Sequence, residues 1–224
     1  MQNREFFKRV IDTQSVDIEV DTSLEVDKKY AYLFSLFIKC DVDEEFLELK
    51  EVLITLVGDV YAGFRLVDGW CELYFYVKEP KGVEQKVQKV LQDSRLKYEN
   101  SIVKDVKWDF YHKNLSPSEF EFLLIDGFKI VDELELEGDD ITKPRENEHY
   151  IFFDTPTQKD RFLSKAEKLG YIYKDEIESD SYGIAIVKED TLSKDRVFEF
   201  TKELYELVKE DRGIYELWST TLSR

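Results

Sequence analysis

An α+β protein made of two tandem βαββαβ units is what this 224-residue sequence predicts, on three observations. The order strand, helix, strand, strand, helix, strand reads twice, once on each side of residues 138–155. Each copy holds a turn between two apolar runs, Asp68-Gly69 in the first and Ser179-Asp180 in the second. Each copy also carries two apolar stripes at helical spacing. That order is the one of a ferredoxin-like unit, a four-stranded antiparallel sheet with two helices on one face. The units are expected near residues 30–113 and 148–222, joined by a connector helix. The domains follow as 1–115 with a preamble at 1–29, a connector helix and acidic linker at 116–143, and 144–224.

In the preamble, Phe6, Phe7 and Val10 fit one side of a short helix over residues 4–11. Val16, Ile18 and Val20 alternate with acidic residues, as a half-buried strand does. Residues 30–40 are apolar nearly throughout and read as a central strand. Asp41 with Glu44 opens a helix striped by Phe46, Leu49, Leu53 and Leu56, and Gly58 ends it. The Asp68-Gly69 hairpin follows, then a helix over 82–97 and a closing strand over 102–112, where Val106, Trp108 and Phe110 alternate with charges. Ser116-Pro117-Ser118-Glu119 caps the connector helix. Gly127 interrupts its pattern, and acidic residues at its far end oppose the helix dipole, so it is expected to fray near Gly138 and Asp139. The second copy runs from a strand at 149–153 through a helix capped by Thr155-Pro156-Thr157-Gln158 and the Ser179-Asp180 hairpin. A helix opened by Thr191 or Ser193 follows, with Val197, Phe200, Leu204 and Leu207 on one face and Gly213 at its stop. A last strand covers 214–221, and its YELWSTTL echoes WDFYHKNL at 108–115. The first sheet's second face, with Phe37, Trp70, Tyr74, Tyr76 and Tyr111, needs a cover. The second unit's sheet, the connector helix and another chain are the three candidates.

Composition narrows the function. Hydrophobic residues make up 42% of the chain and aromatics 14%, enough for packed cores. The formal charge is −17, which repels phosphate backbones and anionic bilayers, so neither direct nucleic-acid nor membrane binding is expected. Residues 115–224 carry 15 basic and 27 acidic side chains, so −12 of the −17 lies there. No run has the length of a signal peptide core or a membrane span, and a cytoplasmic protein is the default. Cys40 and Cys71 read as two buried thiols, on neighbouring strands, close but not bonded.

Catalytic and cofactor signals are sparse. The sequence has no GxxxxGK[ST], GxGxxG or GxSxG pattern, so no cofactor is expected. His112 and His149, the two histidines, end strands without metal-ligand spacing. The acidic run at 132–140 lacks calcium-loop spacing and reads as a solvated face. Tyr61, Trp70, Tyr74 and Tyr76 fit packing better than base stacking. Two function classes stay open: an acidic, non-enzymatic interaction protein, or a hydrolase or metal-dependent enzyme with a hidden site. The first has candidate partner-binding residues: Glu133, Glu135, Glu137, Asp139 and Asp140 at the connector's end, and Glu199, Glu203, Glu206 and Glu210 along one face of the last helix.

Two families are resembled by the residues just described. Residues 14–117, with the Asp68-Gly69 hairpin, ELYFYVKE at 72–79 and KDVKWDFYHKNLSP at 104–117, resemble the bacterial domain of unknown function family 695. Residues 138–222, with GDDITKPRENEHYIFFDT, KLGY at 168–171 and the IYELWST ending, resemble the regulator of ribonuclease E activity B family. Where that family reads closer to Tyr-Asp-Gly-Trp, this chain has Tyr215-Glu216-Leu217-Trp218. The second family is named for binding ribonuclease E and restraining RNA cleavage. The resemblance therefore implies a protein partner, such as a basic segment of an RNA-decay enzyme, and no catalytic residue.

Overall fold

In the computed structural model, which describes residues 4–11, 13–92 and 94–222, two antiparallel sheets of six and four strands combine with helices in an α+β structure. The chain divides into two compact units, Met1–Pro117 and Ser118–Arg224.

The first unit opens with a hairpin of β1 (Arg4–Ile11) and β2 (Gln14–Asp21). The expected helix at residues 4–11 is therefore a strand. Phe7 pairs with Ile18 and Arg9 with Val16, so Phe7 and Ile11 share the side of β2's apolar residues while Phe6 and Val10 face solvent. Then come β3 (Tyr32–Lys39), α1 (Glu44–Val57), β4 (Val60–Val67), β5 (Trp70–Val77), α2 (Val83–Leu91) and β6 (Lys97–Lys104). Asp43, not Asp41, caps α1, its carboxylate accepting from the Phe46 amide at 2.9 Å. Asp68 and Gly69 both take positive φ, 50° and 70°, the turn that matches strand twist. The strand order is β1-β2-β4-β5-β3-β6. Three of the four expected strands lie where expected; the helix expected over 82–97 ends at Leu91, the fourth strand falls earlier than expected, at Lys97–Lys104, and the preamble hairpin brings the sheet to six strands.

One face of this sheet packs Phe34, Leu36, Leu73 and Phe75 against Leu53 of α1 and Val87 of α2. Cys71 and Cys40 lie on this side, the Cys71 Sγ 3.7 Å from the Cys40 carbonyl, and burial pushes both thiols up. A buried ion pair joins β2 to α1: Lys50 Nζ donates to Glu19 at 2.7 Å, and Tyr61 Oη donates to the other carboxylate oxygen at 2.8 Å.

The opposite face carries Val16, Ile18, Leu33, Tyr74 and Tyr76, and its cover is the first unit's own residues 105–117. The expected covers did not include this segment of the first unit itself, which packs on Tyr74 and Tyr76 while Phe37 and Trp70 stay half-buried. The expected strand over 102–112 stops at Lys104 because Asp105 accepts from the amides of Asp109 (2.8 Å) and Phe110 (3.0 Å) and from Tyr76 Oη (2.7 Å). Trp108 turns the chain at φ 57°, and a helical turn follows over Tyr111–Leu115. The apparent echo between residues 108–115 and the last strand is thus one of composition, not of structure. Trp108 stacks on Tyr76 at 4.1 Å and 8° and donates its indole N–H to the Tyr30 carbonyl at 2.9 Å. Tyr111 Oη donates to the Asp21 carbonyl at 2.8 Å.

The second unit opens with α3 (Glu119–Leu136), capped by Ser118 and Glu121 in a capping box. The cap lies two residues beyond the expected Ser116, whose amide instead closes the preceding turn on Tyr111. Gly127 leaves α3 unbroken. A Cβ there would meet Trp218 Nε1 at 2.9 Å and Val197 at 3.0 Å, so the glycine admits close packing. β7 (Arg145–Phe153), α4 (Pro156–Ala166), β8 (Ile172–Ile177), β9 (Tyr182–Asp190), α5 (Lys194–Glu210) and β10 (Ile214–Thr220) follow. The sheet order is β10-β7-β9-β8. Ile151, Phe153, Ile184 and Ile186 pack against Phe162, Leu204 and Val131. No described helix is long and apolar enough to cross a membrane.

Trp108→Ala removes a large buried ring and should cost about 3–5 kcal/mol in urea denaturation. Val103→Ala, at an exposed place on β6, should cost under about 0.5 kcal/mol.

Candidate functional site

α5 is laid down by its own sequence. Ser193 caps it by accepting from the Arg196 amide, and Val197, Phe200, Thr201, Leu204 and Val208 are buried. The opposite face carries Glu199, Glu203, Glu206 and Glu210 at spacings of four, three and four, which align them in one ridge. Phe198, 42% exposed, and half-buried Leu207 flank the ridge in a shallow depression of about 480 Å³.

Each of the four carboxylates has a cationic neighbour. Glu199 is bonded to Arg196, and Glu203 lies 3.7 Å from Lys188 and accepts from Tyr171 Oη at 3.1 Å. Glu206 stands 4.0 Å from Lys202, and Lys165 donates to Glu210 at 2.9 Å. The ridge is therefore a row of surface ion pairs. Such pairs hold weakly and exchange readily for an incoming guanidinium or ammonium.

The second group of candidates sits at the end of α3. Glu133, Glu135, Glu137 and Asp140 are exposed. Asp139 is not: its side chain is fully buried and bonds Arg145 through both oxygens, at 2.6 and 2.9 Å. A partner cannot reach it, and it serves instead to fasten the start of β7. This is the end expected to fray, and the α-helix stops at Leu136. Gly138, at φ 76°, closes the helix with its amide on Glu135 and the Asp139 amide on Leu134. The Thr142 hydroxyl and amide hold the Asp140 carboxyl below its usual range. Ion pairs Lys194–Asp132 and Lys209–Glu119 set α3 and α5 antiparallel, so the α3 cluster lies toward the Glu199 end of the ridge.

The two histidines sit in different surroundings. His149 is 1% exposed, packed edge-on against Tyr171 and Phe200, with Nδ1 2.7 Å from Tyr215 Oη. Burial, with a smaller contribution from Lys188, lowers its pKa to about 3. His112 is exposed beside Tyr111. Among the described residues, no three His, Cys, Asp or Glu side chains are grouped to hold a metal ion. The sequence reading missed two buried ion pairs, Glu19–Lys50 and Asp139–Arg145. Period-two burial of Arg145, Asn147 and His149 in a strand is the signal that places Arg145 inside.

A histidine kept neutral when folded makes stability fall as pH falls, because only the unfolded chain takes up the proton. Between its unfolded value of 6.5 and about 3, each pH unit should cost up to about 1.4 kcal/mol. Urea midpoints between pH 6.5 and 5.5, above the carboxylate range, should show that slope in the parent. His149→Phe should be flatter over the same window.

Comparison with known families gives two matches, one in each half. Residues 43–116 match a family of unknown function, DUF695, and residues 126–220 match the family regulator of ribonuclease activity B. No curated protein matches the chain. Two solved structures are similar at low level. An unknown protein from Galdieria sulphuraria is 7% identical, with a TM-score of 0.26, covering 87% of this chain and 99% of that one. A putative glycine cleavage system transcriptional repressor is 10% identical, with a TM-score of 0.25, covering 87% and 98%. The chain thus joins a first half similar to the DUF695 family of unknown function to a second half similar to the regulators of ribonuclease activity B.

Proposed function

We propose that this protein is a non-enzymatic regulator whose second unit binds a ribonuclease through a basic protein segment. The observation that carries this reading is the match of residues 126–220 to a family named for regulating ribonuclease activity. The carboxylate ridge of α5, with Glu133, Glu135, Glu137 and Asp140 beside its Glu199 end, is the surface offered to that segment. A net charge of −12 over residues 115–224 draws a basic chain in and repels RNA, so the regulator acts on the enzyme and not on its substrate. The strand order within each unit supports reading both as ferredoxin-like, the first enlarged by the β1–β2 hairpin. The enzyme reading weakens at His149, whose sealed ring reaches no substrate.

Binding rates of the full chain to a purified basic segment of a ribonuclease test this. The rate should fall as salt rises. Replacing Glu199, Glu203, Glu206 and Glu210 by Gln should slow association about tenfold and flatten the salt dependence. Equal rates for parent and variant, insensitive to salt, would remove the electrostatic mechanism. A hydrolytic activity abolished by His149→Ala would turn the case toward an enzyme.

A further inference from the structure

The second face of the four-stranded sheet follows from its register. Tyr150 pairs with Ala185 and Leu217, and Phe152 with Gly183 and Ile214. Glu148 pairs with Val187, which pairs in turn with Ile172. These side chains point away from α4 and α5, because the alternate residues Ile151, Phe153, Ile184 and Ile186 fill the core. The exposed apolar side chains of this face lie on its two edge strands, Ile214 (60%) and Leu217 (45%) on β10 beside half-buried Phe152 and Tyr150, and Ile172 (66%) on β8, with Ala185 and Val187 buried between them. Gly183 keeps it low, since a Cβ there would come within 2.7 Å of the Phe152 ring.

The same face of the first sheet shows what such a surface accepts. There Trp108, Tyr111 and Leu115, brought by a short helical turn, cover Tyr74 and Tyr76. In the second unit, no described segment of that unit takes this part.

Charge selects the occupant. Glu146, Glu148, Asp175 and Glu189 share the second face, against Lys174 alone. Lys174 is already held by Glu146 at 2.9 Å and Glu148 at 2.6 Å. A second copy of this chain would bring a second set of the same carboxylates into a two-fold contact. A basic occupant relieves them. We infer that this face docks a short aromatic or aliphatic segment flanked by Lys or Arg, supplied by a protein partner, as residues 105–117 cover the first sheet. The surface lies apart from the α5 ridge, and the two are tested separately.

The probe is a fluorescein-labelled peptide copying residues 105–117 with both aspartates replaced by lysine, titrated against the full chain by anisotropy and amide chemical shifts. It should bind and shift amides of β7, β9 and β10. Ile214→Ser with Leu217→Ser, both exposed and so compatible with folding, should weaken it by about tenfold or more. The four Glu→Gln changes on α5 should leave it unchanged. A control peptide with glutamate for every lysine should not bind, nor should one with serine for its aromatic and leucine residues. No binding by the basic peptide, or equal binding by the glutamate peptide, overturns the inference. So does binding that the Ile214 and Leu217 changes leave intact. Binding lost only in the α5 variant places the occupant on the ridge, which overturns this inference and supports the ridge. Self-association of the chain that the Ile214 and Leu217 changes abolish makes the occupant a second copy and overturns it too.

Discussion

A β-sheet has two faces, and two helices crossing over one side leave the other to be covered. The first unit depends on how it meets that constraint. Asp105 ends β6 by taking two backbone amides and the Tyr76 hydroxyl, and this aims Trp108 flat onto Tyr76. Apolar area of that size, left in water, costs several kcal/mol by the usual transfer bookkeeping of about 25 cal/mol per Å². The β1–β2 hairpin widens the same face, and the Tyr111 hydroxyl ties the cover to the end of β2. The second unit has the same strand order among its four strands, and none of its described residues forms such a cover. Ile172, Ile214 and Leu217 of that sheet are exposed.

Much of the architecture was legible in the sequence where local chemistry and pattern agree. The Asp68-Gly69 turn, the Gly58 stop and the Thr155–Gln158 capping box each have one physical reading, and the structure bears it out. Failures came where one pattern fits two periods. Phe6, Phe7, Val10 and Ile11 satisfy a helical face and a strand alike, and only pairing with β2 decides between them. Val106, Trp108 and Phe110 alternate as a strand should, yet a single carboxylate three residues before Trp108 ends the strand.

The candidate site was legible as a stripe but not as an environment. Helical spacing alone aligned Glu199, Glu203, Glu206 and Glu210. Their counter-charges, Arg196, Lys188, Lys202 and Lys165, come partly from β9 and α4 and cannot be read from α5. Asp139 looks like one more member of an acidic run, and its burial depends on Arg145, six positions on. Lys50 sits among the buried residues of α1 because Glu19, from a strand 31 residues earlier, meets it there. Long-range partners of this kind leave no periodic trace.

On the function proposed above, this protein acts by occupying an enzyme's protein segment rather than by chemistry of its own. The direct measurement is the RNA-cleavage rate of a purified ribonuclease bearing a basic segment, titrated with this protein and followed alongside complex formation. The account predicts a saturable change in cleavage whose midpoint tracks binding and shifts upward with salt. Complex formation that leaves the cleavage rate untouched, or RNA cleavage by this protein alone, would contradict it.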